Sequence, residues 1–97
     1  NDRLYNLKEF NNENELNNSV VNAYETAVVM GEDIKYLSEN TVVNGGIKAD
    51  TTTISITKNG SALTVKGDSV INVRKKGTAI KVIGSDNAVV LEGNAIV

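Results

Sequence analysis

Two carboxylates, Asp68 and Asp86, sit in similar polar turns, each with a serine beside it, Ser69 and Ser85. If those turns stacked, the pair could ligate Ca²⁺, which favours hard oxygen ligands, or act as acid and base in glycoside hydrolysis. Aspartates in such turns more often bond their own backbone. The Gly-Gly-x-Gly-x-Asp pattern of calcium-binding repeats is absent, and a short repeat offers no deep cleft. A second group is cationic: Arg74, Lys75 and Lys76, with Lys58 seventeen residues before Lys75, and Lys66 and Lys81 nearby. Stacked, these cations would form a stripe for the phosphate groups of a cell envelope or a nucleic acid. The plainer reading is a solvated turn whose charges keep a strand edge from aggregating. No aromatic residues interleave the basic ones, so nucleic acid is not an expected partner.

The chain has no His and no Cys, which removes the commonest general base and metal ligand, every thiolate site and every disulfide. Neither an enzyme nor a cofactor- or metal-binding protein is expected. Asn17-Asn18-Ser19 and Asn59-Gly60-Ser61 match the glycosylation acceptor pattern, as chance would allow in a chain so rich in Asn. The aromatics are four, Tyr5, Phe10, Tyr24 and Tyr36, so neither a large aromatic core nor a base-stacking platform is available. Apolar runs are a few residues long, too short to span a membrane. At 97 residues the chain is one domain at most, or one domain with an extension. It starts at Asn1, which is consistent with a processed form or a fragment.

The net charge of −2 conceals a split: residues 1–44 carry three cations against eight carboxylates, residues 45–97 seven against four. The hydrophobic pattern changes at the same place. In the first part Val20, Ala23, Ala27, Met30, Ile34 and Leu37 recur at intervals of three and four, the a/d seam of a heptad repeat. Upstream, Leu4, Leu7, Phe10 and Leu16 keep helical intervals, although the register fails at Asn6, Glu9 and Glu13. The pattern predicts a helical, coiled-coil segment over 1–44, stopped by Asn44-Gly45-Gly46 in a linker over 45–50.

Residues 51–97 read as short strands. Ile54 and Ile56, Leu63 and Val65, Ile71 and Val73, Ile80 and Val82, and Val89 and Leu91 are alternating apolar pairs, the expected β-core, separated by turn sequences such as KNGS and KGDS. Ile54–Asp68 and Ile71–Ser85 align at an offset of seventeen with six identities in fifteen positions, including Gly60/Gly77 and Gly67/Gly84. A unit that cannot bury its apolar face alone must stack on its copies, which is the logic of a β-solenoid. The expected class is therefore α+β, a helix followed by a β-helix or β-prism with repeats of about seventeen residues.

Heptad stalk, Gly-rich break, then NGSALTV, VKGDSVINV and VIGSDNAVVLEGN resembles the modular stalks of trimeric bacteriophage tail fibres and tail spikes. Val65-x-Gly67 and Val82-x-Gly84 are similar to the triple-stranded β-helix of puncturing spikes, although only Val65 to Val73 keeps that repeat's eight-residue step. TAIKVIGSDNAVVLEGNAIV is similar to one coil of a right-handed parallel β-helix. The resemblance implies a non-enzymatic viral structural protein, a homotrimer on a tail appendage of the virion, contacting other virion or surface proteins and a cell-envelope glycan during host attachment. Three chains wound together would also relieve a thin monomeric core. Two rivals stand beside it: a bacterial surface or filament β-solenoid that polymerises end to end, and a fragment of a β-helical polysaccharide-degrading tailspike.

Overall fold

A computed structural model gives the fold, and the structure describes residues 2–4, 9–10 and 13–97. Every regular element among them is a strand: β1 (Asp2–Leu4), β2 (Glu9–Phe10), β3 (Glu13–Asn17), β4 (Val20–Asn22), β5 (Val28–Met30), β6 (Lys35–Glu39), β7 (Val42–Gly45), β8 (Thr52–Ile56), β9 (Ala62–Lys66), β10 (Val70–Val73), β11 (Thr78–Val82) and β12 (Ala88–Leu91). Successive strands pass in rotation to three separate sheets, ordered β1-β4-β7-β10, β11-β8-β5-β2 and β12-β9-β6-β3. All pairs are parallel. The chain is a three-faced β-solenoid of four coils, with Ile96 bridging to Val70 as the start of a fifth.

Among the described residues of 1–44 the expected helix and coiled coil are replaced by strands; residues 1, 5–8 and 11–12, Leu7 among them, lie outside the described residues. The three-and-four spacing has another origin. Strands of three to five residues joined by corners of a few residues put inward side chains at Val21, Ala23, Ala27, Val28, Met30, Ile34 and Tyr36. Ala23, Ala27 and Ile34 belong to corners, and their burial fills the gaps between strand positions. Of the expected seam, Ala23, Ala27, Met30 and Ile34 are buried in the solenoid interior, whereas Val20 and Leu37 are half-buried. Paired β-branched residues, Val20-Val21 and Val28-Val29, suit strands better than helix. The solenoid runs on through 45–50, which is the corner joining β7 to β8, with Gly45 closing β7.

The seventeen-residue repeat is also corrected. It superimposes β8 on β10 and β9 on β11, strands of different sheets. The coil is set by register instead: Ile54 over Val28 and Ile80 over Ile54 step by 26 residues, and the steps elsewhere range from 18 to 28. Gly67 lies over Asn40 and under Gly93, not level with Gly84. Gly60, Gly67 and Gly84 have positive φ as expected (76°, 66° and 99°), but Gly77 is not among the positive-φ residues.

One chain closes all three sides of its own core. Val21, Val28, Met30, Tyr36, Val43, Ile54, Ile56, Leu63, Val65 and Ile71 fill it. Each such side chain contributes roughly 1.5–3 kcal/mol when fully removed from water. The corners bring polar atoms inside, and neighbouring coils satisfy them. The Ser61 hydroxyl donates to the Gly31 carbonyl (2.7 Å) and accepts from the Ile34 amide (2.9 Å). Ser69 donates to the Ser38 carbonyl (2.9 Å) and accepts from the Thr41 amide (3.1 Å).

Candidate assembly site

The first sheet carries a chemical signature through three of its four strands, β4, β7 and β10. Val20-Val21-Asn22 pairs with Val42-Val43-Asn44, which pairs with Val70-Ile71-Asn72. Asn44 Nδ2 donates to Asn22 Oδ1 (2.9 Å), and Asn72 Nδ2 donates to Asn44 Oδ1 (2.8 Å). All donors point toward the earlier coil, so the ladder has a direction and Asn72 Oδ1 is its terminal acceptor. Asn44 was expected only as part of a helix stop, and Asn22 and Asn72 were not singled out from the sequence. The recurring Val-Val-Asn, Val-Val-Asn, Val-Ile-Asn was the available signal, hidden by unequal steps of 22 and 28 residues.

At the last coil the core columns reach solvent. Val82 lies over Ile56, Val89 over Leu63 and Leu91 over Val65. The lower members are fully buried, whereas Val82, Val89 and Leu91 are 47%, 39% and 52% exposed. Val97, adjoining the bridge of Ile96 to Val70, is 50% exposed above the level of the buried Ile71. Of the expected β-core, then, Ile54, Ile56, Leu63, Val65 and Ile71 are interior, Ile80 and Val73 are partly buried, and Val82, Val89 and Leu91 form an open apolar end. β11 and β12 are terminal strands of their sheets, so one edge of each still offers backbone donors and acceptors.

The other singled-out residues are dispersed. Arg74, Lys75 and Lys76 occupy the corner between β10 and β11, while Lys58 lies in the corner between β8 and β9, so the two do not stack. The coil below Arg74–Lys76 presents Lys48, whose Nζ meets Glu25 Oε1 at 3.2 Å in a surface pair worth less than about 1 kcal/mol. Asp68 follows β9 and Asp86 follows β11, so they too occupy different corners. Asp68 accepts from Asn94 Nδ2 (3.1 Å), a corner-to-corner tie between coils. No group of three or more potential metal ligands forms among the described residues, and no helix there is long and apolar enough to cross a membrane. No family model, curated protein or solved structure matches the chain.

Proposed function

We propose that this chain is a non-enzymatic structural and adhesive module, a segment of β-solenoid rod from a virion tail appendage or a cell surface, presenting its outer faces to envelope glycan. The observation that carries this reading is the unbroken parallel register through all three sheets, to which side chains of the corners and of the Asn ladder add hydrogen bonds from one coil to the next. Ser61, Ser69 and Asn44 serve neighbouring coils, and so do the corner residues Asn40, Asn59 and Asn87. A rod built in this way holds its faces rigidly at fixed spacing, which suits a spacer or an attachment surface. The core is closed within one chain, so three-chain winding is not needed to fill it, and a trimer would have to form through outer faces.

Purified protein incubated with envelope polysaccharide tests this. It should be retained on immobilised glycan and release no reducing ends, and Asp68→Asn with Asp86→Asn should leave both results unchanged. Release of reducing ends, or failure to associate with any envelope glycan or intact cell surface, contradicts the proposal.

A further inference from the structure

We infer that the corner joining the first sheet to the second is a docking edge for an anionic polysaccharide, one that bears phosphate or carboxylate groups. The inference rests on the adhesive reading above and names the chemistry of its partner. Over residues 18–97 the three stacks of corners differ in charge. Those from the first sheet to the second (23–27, 46–51 and 74–77) hold Lys48, Arg74, Lys75 and Lys76 against Glu25 and Asp50, a net +2. Those from the second to the third (31–34, 57–61 and 83–87) hold Lys58 against Glu32, Asp33 and Asp86, a net −2. Those from the third back to the first (18–19, 40–41, 67–69 and 92–95) hold Asp68 and Glu92 and no cation, again −2. One cationic ridge therefore runs between two anionic ones.

The ridge has three steps, one per coil. In the upper step Arg74, Lys75 and Lys76 are all exposed and have no ion-pair partner among the described residues, whereas Lys48 is taken up by Glu25. The Arg74 amide donates to the Gly45 carbonyl (2.9 Å), the Lys75 amide to the Gly46 carbonyl (3.0 Å) and the Gly46 amide to the Glu25 carbonyl (2.9 Å). Gly45 and Gly46 thus lie in the middle step and carry no side chain there. In the lowest step Tyr24 is 51% exposed, and its carbonyl accepts from the Lys48 amide (2.8 Å). Its level lies two coils from the cations, roughly 10 Å at the usual strand spacing.

This pairing of groups suits a charged sugar chain laid along the ridge. The planar fork of Arg74 grips a phosphate or carboxylate through two parallel bonds, and the lysines add point charges. The Tyr24 ring offers an apolar face to a sugar ring and a hydroxyl to its substituents. Nucleic acid fits less well. A duplex carries one negative charge per about 1.7 Å, far more than three unpaired cations can meet between two anionic edges. A single strand wants several aromatic platforms, and Tyr24 is the one exposed aromatic among residues 17–97.

The test is binding of the 97-residue chain to immobilised alginate (carboxylate), phosphomannan (phosphate) and dextran (neutral) in about 50 mM salt, where exposed charges are weakly screened. Duplex DNA serves as competitor. Two variants remove three cations each, Arg74→Gln/Lys75→Gln/Lys76→Gln on the ridge and Lys58→Gln/Lys66→Gln/Lys81→Gln away from it, and circular dichroism shows that each keeps the wild-type fold. The expected result is retention on alginate or phosphomannan but not on dextran, the arm that holds the protein identifying the anion. The ridge variant should bind roughly ten-fold or more weakly and the control less than about two-fold. Tyr24→Ala should weaken binding about three-fold. Equal losses in the two triple variants, a Tyr24→Ala protein that binds as the wild type does, or tighter binding to DNA than to either anionic glycan overturns the inference. Retention on dextran as strong as on the anionic glycans would remove the edge and leave the adhesive function standing, whereas retention on no glycan and on no intact cell surface would remove both.

Discussion

Asn44 is held from both sides, accepting from Asn72 and donating to Asn22, and it is 4% exposed. Asn44→Ala removes both bonds and leaves the half-buried Asn22 acceptor and Asn72 donor without this partner, a loss of about 1–3 kcal/mol in all. Asn72→Ala removes one bond at a half-buried position, so its fall in urea midpoint should be clearly the smaller of the two. Equal losses would mean that the ladder does not act as a chain. Ile54 and Ile80 make a second comparison in a single column. Ile54→Ala in the closed interior should cost about 2–5 kcal/mol. Ile80→Ala, at a partly buried position, should cost less than half as much by the same denaturant titration.

The strand pairs of the β half were legible because alternation needs no knowledge of what covers them. Ile54/Ile56 and Leu63/Val65 were read as inward and are fully buried. The coil length was not legible. The misleading offset of seventeen shows six identities in fifteen positions, whereas the true offset of 26 pairs Thr52–Val70 with Thr78–Ile96 at only four in nineteen. The reason is physical. An inward column requires only an apolar side chain, so Ile56 over Met30, or Leu63 over Tyr36, satisfies it without identity. All three faces also use the same strand-then-polar-turn chemistry, so one face imitates another. The helix was misread because buried corner residues such as Ala23 and Ala27 completed a heptad-like spacing that strand positions alone do not have. The open apolar end was half legible, since Val82, Val89 and Leu91 were named as core from their alternation but are 47%, 39% and 52% exposed. Two deletions separate the repeats. Removing Ile54–Ala79, one full coil that rejoins sheet to like sheet, should leave a folded protein. Removing Ile54–Val70 joins strands of different sheets and should abolish cooperative unfolding. Inserting one Ala after Leu63 turns Val65 outward and should be as damaging as a core truncation.

For the molecule as a whole, the central claim is that a single chain winds as a three-faced solenoid whose coils run from 18 to 28 residues, 26 in the pairs β5–β8, β8–β11 and β9–β12, set by register rather than by sequence identity. Absence of native cysteine makes this directly measurable. Thr64 and Val90 are register partners on adjacent strands β9 and β12, and neighbouring strands lie about 4.8 Å apart, within disulfide reach. Thr64 and Lys81 are the equivalent pair for a seventeen-residue repeat, and they lie on different sheets. The decisive measurement is intramolecular disulfide formation in dilute solution, followed by mass spectrometry of the oxidised monomer, for Thr64→Cys/Val90→Cys and Thr64→Cys/Lys81→Cys. The solenoid described here predicts a rapid, near-complete bridge in the first variant and none in the second. Ready bridging of the second with failure of the first would contradict it.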